Sequence, residues 1–429
     1  MSSRPRLVLG LVLAVALVVR VAVVLASPDY TPVYDSSDYV RHAVSIADGD
    51  GYPDSVFTAS QSESAFRPPV YPYLLGAIQF AFGEVETAGR LAGALFGVLA
   101  VLLVYLIARR LWSERTALVA AALAALFPGL FLLSGALNTE PAYLVIELAA
   151  VLFALRSRAG GGDLRWAAAA GACCGLAALT RSNGLLLLIP IVFGVMAVRP
   201  RLSRAGLAVS AVAVAVAALT VAPWAVRNSL TFDRLVGINA QTGFALAGIY
   251  NETAYERDGY RASWTPPKFT GRYAPLYERR DLDELELDAE LRSQAVDWAL
   301  DHPRYAVEAT VLNAIRILEF GKEHPLGHAS NRSQLALDRT EARVERAAFY
   351  LLLLLAMAGA VVMARGPRDR RPPLFIWVVP ILAVAMALPV ISSTRYRTVA
   401  YPFLALAAAP ALVAGADRLA ARRRAAEGT

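Results

Sequence analysis

Apolar residues in this chain gather in blocks of roughly twenty, a pattern quite different from the stripes of a soluble helix or strand. Twenty residues of helix cross a hydrocarbon core about 30 Å thick. The blocks fall at 6–26, 70–83, 88–108, 116–133, 139–155, 166–180, 184–198, 205–226, 343–364, 373–391 and 398–416. The chain therefore reads as all-α, a polytopic membrane protein. The two cysteines, Cys173 and Cys174, are adjacent within one apolar block and point in different directions on a helix, which excludes a disulfide framework.

Charge orders the blocks. The formal net charge is +7, but the basic residues punctuate apolar runs, which is orientation chemistry and excludes a nucleic-acid partner. If all eleven blocks crossed, positively charged loops would fall on both sides. Setting aside 70–83, which follows the extended "RPPVYP", restores order. About ten crossings remain, and that short block becomes an interfacial or re-entrant helix. "SSRPR", "RRLWSER", "RSRAGGGDLR", "RPRLSR", "RGPRDRR" and the terminal "ARRR" then all lie in the cytoplasm. The basic start of the chain could mark a signal peptide, but its apolar stretch is long enough for an uncleaved first helix.

Three regions follow from this topology. Residues 1–226 form an N-terminal membrane module with a first outer loop at 27–87; residues 227–342 form a second outer loop; residues 343–429 return to the membrane and end in a basic tail. Within the second loop, 291–320 reads as amphipathic helices along the interface, and "DLDELELDAE" as a solvated helix face. The Ala, Val, Leu and Arg bias points to a GC-rich bacterial genome, hence to the plasma membrane.

The polar motifs left over collect outside: "YDSSDYVRHA", "FRPP", "NTE", "LTRSNG", "PWAVRN" and "STRYR". Arg67, Arg181, Arg227, Arg395 and Arg397 thus sit where arginine is normally scarce. An arginine at membrane depth costs about 2.5–3.5 kcal/mol unless it snorkels or pairs. Guanidinium forks match phosphate oxygens, so a shared anion, with a lipid phosphate the obvious one, accounts for all five. Asp35 and Asp38 share a helix face. Asp35 is either a helix cap or a base for an acceptor hydroxyl, and Glu140 either suits a helix start or serves the site. A divalent metal bridging the two aspartates stays open, although two carboxylates make a poor cage. His42, His302, His324 and His328 are scattered and form no zinc site. Arg20, within the first span, snorkels or faces the bundle.

In this order, an outer Asp followed four residues later by Tyr, a basic residue before paired prolines, an outer Glu, "GLAALTRSNG", "PWAVRN" and a late "RYR" resemble the bacterial GT-C glycosyltransferases. The protein O-mannosyltransferases and the lipid A aminoarabinose transferases are the nearest groups. The resemblance implies transfer of a sugar, hexose or pentose, from a polyprenyl-phosphate donor to an acceptor outside the cytoplasm: a glycan, lipid or protein hydroxyl. It makes Asp35 the catalytic carboxylate. Arg67, Arg395 and Arg397 become donor-phosphate ligands, supported by Arg181 and Arg227. Asp38, Tyr39, Tyr71, Glu140, Asn183, Trp224 and Tyr396 line the substrate pocket; no cofactor is certain, and a divalent metal stays open. The alternative is a transporter or flippase of lipid-linked sugars, which should carry charges at both faces or at the midplane.

Overall fold

The computed structural model describes residues 3–58, 63–196, 203–257, 260–320, 337–367, 371–391 and 393–427. The described residues hold helices and no strand. His324 and His328 lie outside them, as do most of "RPRLSR" and part of "RGPRDRR".

Among the described residues, five helices are long and apolar enough to cross a membrane: Arg4–Leu25, Val85–Leu111, Arg204–Thr231, Arg339–Arg365 and Thr394–Glu427. A sixth is a bent pair, Glu114–Leu126 and Pro128–Gly135, which turn by 64°. The break has a local cause. Phe127 is extended and Pro128 opens the next helix, where its missing N–H is not needed. The other four expected crossings fall on Glu140–Ala159 and on the shorter helices Leu164–Ala178, Ser182–Val195 and Phe375–Ala385. Those three are shorter than the roughly 20 residues a straight span needs. Block 70–83, read as a short helix, is the 13-residue helix Val70–Phe82.

Polar residues set the helix starts. Glu84 accepts from the Thr87 and Ala88 amides ahead of Val85–Leu111, and Ser113 from that of Thr116; Ser203 does the same for Gly206. Small residues set the spacing between spans. A Cβ on Gly359 would overlap the carbonyl oxygen of Ala407, and one on Gly171 that of Ala213. Between apolar helices in lipid, such close backbone approach is a principal source of attraction.

The main core joins the membrane helices, while a separate core, with Tyr250, Tyr273, Leu291, Trp298 and Tyr305, lies inside the second outer loop. Helices Glu284–Asp301 and Pro303–Ile317 turn their apolar faces into that core. The acidic stretch before 291 departs from the solvated face expected of it. Asp283 and Glu286 form a capping box, but Glu284 and Asp288 are buried and bond across to other segments. Charge density misleads here because two of the six carboxylates, Glu284 and Asp288, turn inward to accept from backbone amides of other segments. Arg20 faces the bundle, donating to the carbonyls of Ala16, Ala124 and Ala125.

Replacing Gly359 by Val should force Arg339–Arg365 away from Thr394–Glu427, an overpacking cost of about 1–3 kcal/mol. A lowered unfolding midpoint in detergent checks this; an unchanged midpoint would mean that the two helices are not in close contact.

Candidate active site

The short helix Asp35–Asp48 begins the site. It starts abruptly from Tyr34, whose φ of 52° is rare for a residue with a side chain, and it ends at Gly49 with φ 86°. Asp35 is its first residue and does not cap it. Asp35 and Asp38 point to the same side, as three-residue spacing requires, and there both meet Arg67. Arg67 donates through Nε to Asp38 and through NH2 to Asp35, each at 2.7 Å. Its guanidinium carbon lies 4.8 Å from the Tyr39 ring centre and 5.1 Å from that of Phe57.

The other oxygen of Asp35 accepts from Arg395 NH1 at 2.7 Å. Arg395 sits on the 3-10 helix Thr394–Ala400 and also binds Glu140 through Nε and NH2. Glu140, at the start of its helix, then bonds Arg181, which donates to the Thr139 hydroxyl at 3.1 Å as well. Three carboxylates and three guanidiniums thus alternate in one chain: Asp38, Arg67, Asp35, Arg395, Glu140, Arg181. Removing one partner of a buried ion pair typically costs about 3–5 kcal/mol, so the chain of charges holds together five separate segments.

This chain of charges borders a cavity of about 410 Å³ lined by Asp35, Tyr39, Arg67, Arg181, Asn183, Arg395 and Tyr396 among others. The Asp35 side chain keeps 31% of its surface open, whereas Asp38 is fully closed. Of the two, only Asp35 can meet a second molecule. Burial would raise the Asp35 carboxyl, but Arg67 and Arg395 outweigh it and hold it well below the usual carboxylate range.

Several residues expected in the site lie elsewhere. Arg397 turns away and is buried among Glu345, Glu319, the Ile317 carbonyl and the Tyr401 hydroxyl. Neighbouring residues of a 3-10 helix cannot all face one cavity. Arg227 pairs with Glu63 and donates to the Ser64 carbonyl at 2.7 Å, bracing the segment ahead of Arg67. Trp224 donates to the Ile238 carbonyl, and Tyr71 packs edge-on against Tyr39. Asp38 and Glu140 hold arginines from behind. A metal bridge between Asp35 and Asp38 does not fit, since Arg67 stands between them; among the described residues, no three His, Cys, Asp or Glu side chains group as a metal site.

Other lining residues carry no sequence signal: Gln241 and Thr242 from the second outer loop, and Met386, Ala387 and Val390 from the turn before "STRYR". Nothing in a single sequence ties them to Asp35.

Residues 66–226 match the sequence model of a family described as dolichyl-phosphate-mannose-protein mannosyltransferase. An undecaprenyl phosphate-α-4-amino-4-deoxy-L-arabinose arabinosyl transferase of Pseudomonas fluorescens is 36% identical over 167 residues, 37% of this chain and 30% of its own length. Its counterpart in Pseudomonas aeruginosa is 35% identical over 166 residues, with the same coverage. The chain therefore spans under a third of the length of these curated relatives. Among solved structures, the Archaeoglobus fulgidus oligosaccharyltransferase superposes with a TM-score of 0.53 at 18% identity, over 96% of this chain and 50% of its own. The same archaeal enzyme in complex with an inhibitory peptide and a dolichol-phosphate also gives 0.53, at 16% identity. The resemblance read from the sequence is borne out: the chain is an integral membrane protein with the GT-C glycosyltransferase fold.

Glu284 seals the segment that delivers Arg67. It is 1% exposed and accepts from the Ser64 hydroxyl and the Ala65 amide at 2.6 and 2.7 Å. Burial pushes its carboxyl up to about 7, with the two hydrogen bonds opposing. A carboxyl raised on folding adds stability below its unfolded value near 4.5, and that contribution is lost as pH rises through about 7. The unfolding midpoint should fall over that interval, and Glu284→Gln should flatten the fall. An equally steep profile in the variant would remove Glu284 from this role.

Proposed function

We propose that this chain is a plasma-membrane glycosyltransferase that moves a sugar from a polyprenyl-phosphate donor to an acceptor hydroxyl outside the cytoplasm. The observation that carries this reading is the meeting of Arg67, Arg181 and Arg395 with the partly open Asp35 in one cavity. The match over 66–226 and the lipid-phosphate sugar donors in the relatives' names support it. So does the positive-inside pattern, which puts these groups at the outer surface. On this reading residues 1–226 supply the base and two of the arginines, 227–342 covers the site, and 343–429 returns Arg395 to it.

The donor phosphate enters beside Arg67 and Arg395, which exchange carboxylate for phosphate as partner. Bidentate guanidinium–phosphate pairs are strong, and they are preorganised for charge growing on the departing phosphate. The exchange also activates Asp35. Held by two arginines it is a weak base; as they turn to phosphate, its carboxyl rises and can take a proton. The acceptor oxygen then forms a bond to the anomeric carbon as the bond from that carbon to the phosphate oxygen breaks. The electron pair leaves on the phosphate, and the acceptor proton goes to Asp35. Glu140 keeps Arg395 and Arg181 in place throughout.

Asp35→Asn should lower transfer by about 10²–10⁴-fold, the usual worth of a general base, while donor still binds. Radiolabelled polyprenyl-phosphate sugar in detergent reads both, and full turnover by the variant would refute the base. Arg67→Ala should weaken binding of the bare lipid phosphate by about tenfold or more, as expected when a charged hydrogen bond worth about 1.5–3 kcal/mol is lost. Unchanged affinity would contradict the phosphate role.

A further inference from the structure

The cavity has three chemically distinct sides. Arg67, Arg181 and Arg395 make a cationic corner; Leu185, Met386 and Val390 make an apolar side. The third side is polar and uncharged, built by Ser182, Asn183, Gln241 and Thr242. Gln241 Oε1 accepts from the Ser182 hydroxyl at 2.9 Å and from the Asn239 amide at 3.2 Å. Its own NH2 therefore faces no acceptor among the described residues. The Asn183 side chain has no hydrogen-bond partner among them either. Asp35 is the one carboxylate among the described lining residues, and both its oxygens are committed to arginine.

Resting on the donor reading above, we propose that the transferred sugar is a neutral, hydroxyl-rich one, with Gln241 and Asn183 as its specificity-determining contacts. With phosphate in the cationic corner and the prenyl chain leaving over the apolar side, the sugar meets the amide wall. Amide donors and acceptors match hydroxyls in pairs. The amide wall offers an ammonium group no carboxylate; Asp35, once the phosphate frees it, serves the acceptor proton, and the guanidiniums nearby repel a further cation. The amino sugar in the names of the Pseudomonas relatives is thus the wrong charge for this cavity.

The test uses the full chain in lipid nanodiscs and three probes: undecaprenyl phosphate, its neutral hexosyl ester and its 4-amino-4-deoxyarabinosyl ester. Dissociation constants are measured for the wild type, Gln241→Ala and Asn183→Ala. Wild type should bind the neutral ester roughly three- to tenfold tighter than bare undecaprenyl phosphate, the range of one or two net hydrogen bonds. The amino ester should bind no better than the bare lipid. Either alanine variant should lose the advantage of the neutral ester yet keep the wild-type affinity for undecaprenyl phosphate. Tighter binding of the amino ester, or variants that keep the neutral-sugar advantage, would overturn the assignment alone. Failure of all three probes to bind would overturn the donor reading and this assignment with it.

Discussion

Six alternating charges govern this molecule. Asp38, Arg67, Asp35, Arg395, Glu140 and Arg181 come from distant parts of the chain; Arg67 and Arg395 each bond two carboxylates and Arg181 bonds one. In a membrane protein, guanidiniums that are neither snorkelled nor paired carry a heavy penalty. The balance of three against three is therefore what lets them gather at all. On the proposed function it also leaves them poised, because an incoming phosphate would offer arginine a better-matched partner than a carboxylate already shared between two cations.

The surroundings keep this arrangement in register. The Asp35–Asp48 helix packs on Val70–Phe82, and the segment between them is pinned from two sides, by Arg227 through Ser64 and by Glu284 through Ser64 and Ala65. Arg395 is fixed from the opposite direction. Two residues on, Arg397 is anchored on Glu345 and on the end of helix Pro303–Ile317. Bracing residues of this kind hold reacting groups within the small tolerances that catalysis requires.

Much of this was legible in the sequence, and the gaps have physical causes. Block length gave the membrane class, and sidedness singled out Arg67, Arg181 and Arg395, since cations on the wrong side need a reason. The same logic swept in Arg227 and Arg397, because topology locates a residue along the membrane normal but not around a helix. Arg397 is two residues from Arg395 and faces the other way. The pairing of Asp38 and Glu140 with arginines could not be read, because their partners lie 29 and 255 positions away. The polar wall at Gln241 was hidden for a similar reason: a loop residue announces its contacts only when the chain folds over the site.

On the proposed function, Arg67 and Arg395 change partner when donor arrives. A structure of the chain with undecaprenyl phosphate bound tests that directly. The phosphorus should lie against Arg67 and Arg395, with Asp35 released from at least one of them and facing the open cavity. A phosphate bound elsewhere, with both Asp35 pairs intact, would contradict it.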